Sequence, residues 1–125
     1  MKRFNGKDGK RSGFENIVED KLKLSRKVSL VEYEVEKFTY TLPASYLPDW
    51  RIKTKKGETI YIEAKGRFTG KDRKKLLKVK ENYPTIDLRL VFQQDNWISS
   101  LKKQRYSDWA RKNGFEYSIW PELPL

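Results

Sequence analysis

The period of the apolar positions changes several times along this chain. Phe14, Ile17, Val18 and Leu22 recur at helical intervals, with Leu24 near the end of the run. Ser12 and Glu15 have capping-box spacing, so a helix is predicted to start at Ser12. From Val31 to Leu42, Val, Tyr and Phe alternate with Glu, Lys and Thr, the pattern of a half-buried strand. Pro43 and Pro48 bracket a short connection, and Trp50, Ile52 and Thr54 continue as a second strand. Lys55-Lys56-Gly57-Glu58 reads as a tight turn into a third strand, Thr59 to Lys65. There Ile60, Ile62 and Ala64 face one way and Thr59, Tyr61, Glu63 and Lys65 the other.

Gly66 and Gly70 flank a break. Lys71 to Tyr83 then reads as a helix stopped by Pro84, with Lys71, Lys74, Lys75 and Lys78 on one face and Leu76, Leu77, Val79 and Tyr83 broadly on the other. Ile86 to Phe92 is an apolar strand, residues 101–113 a second amphipathic helix closed by Asn113-Gly114, and Phe115 to Trp120 a last strand. Helix, three strands, helix, strand, helix, strand is the order of a layered α/β domain with a mixed sheet flanked by helices. Residues 1–11, rich in Gly, Lys and Arg, read as a flexible basic arm ahead of one domain at 12–125.

Composition narrows the chemistry. Cysteine and histidine are both absent. That excludes a disulfide framework, a Cys/His zinc site, Ser-His-Asp or Cys-His catalysis and any imidazole base. Catalysis is left to carboxylates, lysine, hydroxyls or a metal on oxygen ligands. No apolar run approaches the roughly 18–20 residues of a membrane span. The basic start of the chain lacks the apolar stretch of a signal peptide, and the missing cysteines fit a cytosolic protein.

The formal charge is +11, unevenly spread. Residues 65–80 hold eight basic and one acidic side chain, and residues 1–27 nine and four. Residues 28–64 hold five basic and six acidic. A positive field concentrated in two segments points to a polyanion such as nucleic acid. Lys7, Lys10 and Arg11 in the arm, and Arg67, Lys71, Arg73, Lys74, Lys75 and Lys78, suit phosphate contact rather than base reading. Trp97, Trp109 and Trp120 suit base stacking, but core or lid packing is the plainer reading.

The acidic middle segment holds the candidate chemistry: Pro48-Asp49 followed by Ile62-Glu63-Ala64-Lys65. Glu63 and Lys65 are two apart and share one face of their strand. Asp49 opens the preceding strand, so it can lie beside Glu63. Two close carboxylates repel, and a divalent cation relieves this. Oxygen ligands suit Mg²⁺, which lowers the pKa of a coordinated water and offsets charge on a phosphate. Lys65 is placed to orient or deprotonate that water, or to stabilise the pentacovalent phosphate. The plainer alternative is a turn Asp and a solvated Glu-x-Lys pair. Glu15 likewise has an ordinary reading, the closing partner of the Ser12 cap.

Pro48-Asp49 with Glu63-Ala64-Lys65 resembles the PD-(D/E)xK nuclease motif. Further blocks, in order, are Arg11-Ser12-Gly13-Phe14-Glu15, Tyr40-Thr41-Leu42-Pro43-Ala44-Ser45, Ile62 to Gly66, Asp72-Arg73-Lys74-Lys75 and Asp87 to Phe92. Together they resemble the endonuclease I family of T-seven-like phages, whose members resolve Holliday junctions. The resemblance implies a restriction-endonuclease-like core and catalysis by Glu15, Asp49, Glu63 and Lys65. It implies Mg²⁺, with Mn²⁺ substituting, as one or two ions held by Asp49, Glu63, the Ala64 carbonyl and Glu15. It also implies a domain-swapped homodimer, residues 12–45 forming the exchanged helix, strand and bridge, each site taking Glu15 from the partner chain. Branched DNA is then the substrate, a 5′-phosphate the product, and the cytoplasm of a bacterial host the compartment, with a phage or prophage source. The chain departs in a shorter loop before Pro48 and in ending at Pro124-Leu125, where the family carries a basic tail. A nicking or restriction-like enzyme of the same fold and a non-catalytic DNA-binding module are the alternatives.

Overall fold

The computed structural model describes residues 12–41 and 44–125. The predicted arm at 1–11, with Lys7, Lys10 and Arg11, lies outside the described residues, as do Leu42 and Pro43. Among the described residues the order is α1 (Gly13–Leu24), β1 (Val28–Tyr33), β2 (Phe38–Thr41), β3 (Ala44–Tyr46), β4 (Trp50–Thr54), β5 (Thr59–Lys65), α2 (Gly70–Asn82), β6 (Leu88–Phe92), α3 (Tyr106–Lys112) and β7 (Glu116–Ile119).

Five strands form one sheet in the order β1-β4-β5-β6-β7, and β2 with β3 forms a separate two-stranded sheet. β1, β4 and β5 are antiparallel neighbours, whereas β5, β6 and β7 run parallel. The parallel steps are made by α2 and α3. Successive right-handed crossovers in one direction put both helices on the same face. α1 covers the other face.

Strand alternation therefore feeds two cores. Ile52, Ile60, Ile62, Ala64 and Val91 pack with Trp50 against Val18 and Leu22 of α1. Tyr61, Leu88, Leu90 and Phe92 point the opposite way and pack with Leu76, Val79, Tyr106, Trp109 and Phe115. The predicted facing of β5 is thus met on both sides. Gly57 turns the β4–β5 hairpin at φ 90°, a conformation that side chains disfavour.

Three sequence expectations are corrected. The strand expected over Val31–Leu42 is two strands in different sheets. β1 ends at Tyr33, and Glu34 takes a left-handed φ of 49° while its N–H donates to the Asp49 carbonyl at 2.8 Å. The connection expected between Pro43 and Pro48 contains β3, paired with β2. The helix expected over 101–113 is only Tyr106–Lys112. Residues 97–105 form a loop instead, closed by a Trp97–Arg105 bridge and an Ile98 N–H to Gln104 carbonyl bond, with a left-handed φ of 53° at Lys102. Asp95, far outside the helical pattern, accepts from the Ser107 N–H and supports the first turn of α3.

Of the three indoles weighed above, Trp109 is buried and stacked on Phe115, and Trp120 sits edge-on to Phe14. Trp97 is 37% exposed, with the Arg105 guanidinium 4.0 Å from its ring centre.

Candidate active site

Register brings the acidic residues together. Trp50 pairs with Ile62, so Asp49, one residue before β4, arrives opposite Glu63. Asp49 is buried, and its Oδ2 accepts the Ala64 N–H at 2.9 Å. α1 supplies the next group. Ser12 caps the helix by accepting the Glu15 N–H at 3.0 Å. The Glu15 side chain does not close that cap. It accepts from the Tyr33 hydroxyl at 2.7 Å, on the strand that ends beside Asp49.

One carboxylate oxygen each from Glu15, Glu34 and Asp49 lie within 4.8 Å of one another. Burial, then the charges of Glu63 and Glu15, push the Asp49 carboxyl well above its ordinary range, against the opposing Ala64 N–H and Lys65. A buried carboxylate short of positive charge, ringed by further oxygen donors, fits a hard divalent cation. Of the ligands expected from sequence, Glu15 and Asp49 belong to this cluster, and Glu34, which was not expected, is its third member.

Lys65 marks the other side of the site. Its Nζ lies 3.2 Å from Glu63 Oε2 and 3.2 Å from Asp72 Oδ1. Burial disfavours the ammonium, but Glu63, Asp72 and Asp49 outweigh it and hold the Lys65 pKa above its ordinary value. The side chain is thus a fixed cation near neutral pH. Charge stabilisation and orientation fit an ammonium held between two carboxylates.

Asp72 anchors that cation to α2. Thr69 caps the helix, accepting the Asp72 N–H, while Asp72 Oδ2 accepts from the Thr69 N–H at 2.9 Å. Burial alone raises a carboxyl pKa, yet the Thr69 N–H and Lys65 prevail and Asp72 sits below its ordinary range. On the far side of Glu63, the buried Tyr46 hydroxyl donates to Oε1 at 2.7 Å.

The structure brings Asp49, Glu63 and Lys65 together on paired strands, and Glu15 of the same chain, rather than of a partner as the resemblance implied, reaches Asp49 from α1. The basic residues divide. Arg67, Lys71, Lys74 and Lys78 are exposed on the loop after β5 and on α2. Lys75 is half-buried, and Arg73 donates to the Phe68 carbonyl at 2.7 Å, so its guanidinium braces the loop.

Sequence reasoning missed Tyr33, Glu34, Tyr46 and Asp72 as neighbours of the site. Only Asp72 carried a local signal, capping-box spacing from Thr69. The others depend on strand breaks and pairings that span tens of residues.

An α/β domain with carboxylates and one lysine gathered at the β4–β5 edge has clear relatives. The family model of phage endonuclease I matches residues 1–120. The chain is 34% identical over 114 residues to Endodeoxyribonuclease 1 of Enterobacteria phage T3, which spans 86% of this chain and 70% of that protein. It is 32% identical over 112 residues to Endonuclease I of Escherichia phage T7, spanning 86% and 71%. The chain belongs to the phage endonuclease I family.

Proposed function

We propose that this chain is a Mg²⁺-dependent DNA endonuclease that resolves four-way junctions by phosphodiester hydrolysis. The observation that carries the reading is the meeting of Asp49, Glu63 and Lys65 on paired strands, with Asp49 pushed up by burial and by its acidic neighbours. Family membership supports DNA as the substrate.

Asp49, Glu63, the Ala64 carbonyl and Glu15 would hold one or two Mg²⁺ ions, with Mn²⁺ able to substitute, and Glu34 lies close enough to join them. Such an ion supplies an activated water and charge stabilisation at the phosphate. The protein's own residues do the rest. Lys65, fixed as an ammonium between Glu63 and Asp72, offsets the negative charge that builds on the phosphoryl oxygens. Lys71, Lys74, Lys78 and Arg67 hold flanking phosphates without reading bases, as a shape-selective enzyme requires. The product would carry a 5′-phosphate.

The same reading includes a restriction-endonuclease-like core and a domain-swapped homodimer. Within one chain α1 packs on β1 and β5. β1 is an edge strand, and Ile17, Leu24, Leu30 and Val35 on and around α1 and β1 are exposed apolar side chains, which favours coverage by a second copy. Residues 12–45 would exchange, so that Glu15 of each site comes from the partner chain. Two-fold symmetry suits paired cuts across a junction. No helix among the described residues is long and apolar enough to cross a membrane. The proposed setting is the cytoplasm of an infected or lysogenic bacterium.

The test compares a four-way junction with its matching linear duplex, with and without Mg²⁺. Preferential, Mg²⁺-dependent cutting of the junction is expected. Equal rates on both substrates would leave a nicking or restriction-like enzyme of the same fold. Binding without cutting in either Mg²⁺ or Mn²⁺ would leave a DNA-binding module. For the exchange, Glu15→Ala and Glu63→Ala chains are unfolded and refolded together. Both defects then fall in the same site of a mixed swapped dimer, which leaves the other site intact and restores nicking. No restored cleavage counts against the swap.

A further inference from the structure

Both oxygens of Glu63 are engaged within the protein. Oε2 faces the Lys65 ammonium at 3.2 Å, and Oε1 accepts from the Tyr46 hydroxyl at 2.7 Å. Tyr46 ends β3, in the small sheet that packs over α2, and is 4% exposed. Its ring belongs to the core containing Phe38 and Tyr61. The packed ring leaves the hydroxyl little freedom, and the hydroxyl fixes one oxygen of a side chain that otherwise rotates about its own bonds. A carboxylate oxygen has two lone pairs, so a phenol on one leaves the other open to a cation.

We propose that Tyr46 is a positioning residue: its hydroxyl sets the orientation of the Glu63 carboxylate and thereby the affinity of the site for a divalent cation. The inference rests on the reading of Glu63 as a metal ligand. Its physical basis is general. Donors to a ligating carboxylate orient it, and their loss lowers metal affinity or activity by about 10- to 100-fold. Among the described residues the hydroxyl bonds to Glu63, and the ring already fills its place in the core without it.

The experiment uses the full chain with Tyr46→Phe, which keeps the ring and deletes one oxygen. Mn²⁺ binding to the DNA-free protein is measured by calorimetry, alongside the thermal midpoint in EDTA. Mn²⁺ binding is expected to weaken about 10- to 100-fold. The Mg²⁺ concentration for half-maximal cleavage should rise in step, with junction binding in EDTA unchanged. An unaltered Mn²⁺ affinity with a lowered midpoint would make Tyr46 merely structural and overturn the proposal.

Glu63→Ala separates this from the underlying reading. If Glu63→Ala itself leaves Mn²⁺ binding intact, the ligand assignment fails. If Glu63→Ala weakens binding and Tyr46→Phe does not, only the Tyr46 inference fails. In a Glu63→Ala background Tyr46→Phe should add nothing, and additive losses would mean that Tyr46 acts by another route.

Discussion

Asp49 and Asp72 are the same side chain on either flank of one lysine, and their acidities move in opposite directions. Asp49 is buried among Glu15, Glu34 and Glu63, with the Ala64 N–H as a donor, and is pushed up. Asp72 is given the Thr69 N–H and hydroxyl together with the Lys65 ammonium, and is pulled down. The difference lies first in burial, which is deeper at Asp49, and then in the supply of donors, which is richer at Asp72. The Asp72 flank is neutralised from within and serves as a brace that ties α2 to β5. The Asp49 flank carries surplus negative charge and is where a cation would relieve the fold.

The sharpest way to break that contrast is on the Asp49 flank. Glu63→Ala should reduce cleavage to background in any divalent metal, measured on a labelled junction under single-turnover conditions. Asp49→Asn should do the same, yet raise the thermal midpoint in EDTA by removing the repulsion. That gain should shrink when Mg²⁺ is added, since only the wild type has the full charge to neutralise. A midpoint that falls in EDTA would show that Asp49 is not the strained member.

Next in size is the shared cation. Lys65→Met should slow cleavage by about 10²–10³-fold, the loss typical of one preorganised charge stabiliser.

Asp72→Ala probes the neutralised flank and should lower stability by about 1–2 kcal/mol at neutral pH, through the lost half of the capping box and the loss of one of the two carboxylates that hold Lys65. The sign with pH follows from its lowered pKa. The Asp72 contribution is complete above the ordinary carboxylate range and is lost as pH falls through the depressed folded value. Wild type and variant should therefore converge in acid, as followed by denaturant melts across the range.

The smallest effects belong to α2. Lys74→Ala or Lys78→Ala should weaken junction binding evenly across sequences and reduce its salt slope by about 1 each. A change confined to one sequence would mean base readout instead.

Much of the fold was legible locally. β5 runs over the residues its alternation predicted, Thr59–Lys65, and β4 over Trp50–Thr54, because a half-buried strand writes its period into neighbouring residues. α1 starts at the Ser12 cap and α2 starts one residue ahead of Lys71 for the same reason. The break at Glu34 was not legible, since neither glycine nor proline marks it and its N–H is satisfied by a carbonyl 15 residues along, at Asp49. The overlong α3 has a similar cause: Leu101 extends the apolar spacing, but is 71% exposed in a loop whose backbone bonds close on themselves.

The site divides along the same line. From order and spacing alone came the carboxylate pair, the lysine two residues on and the missing imidazole, which leaves such a site to carboxylates, lysine and a metal. Only the tertiary structure placed Glu34 beside Asp49, moved Glu15 from its cap to Tyr33, aimed Tyr46 at Glu63 and locked Lys65 onto Asp72. Side-chain period is a property of a few adjacent residues. Charge, burial and hydrogen-bond supply at a point are sums over whatever the fold brings there, and here they come from α1, β1, β3, β4, β5 and α2 at once.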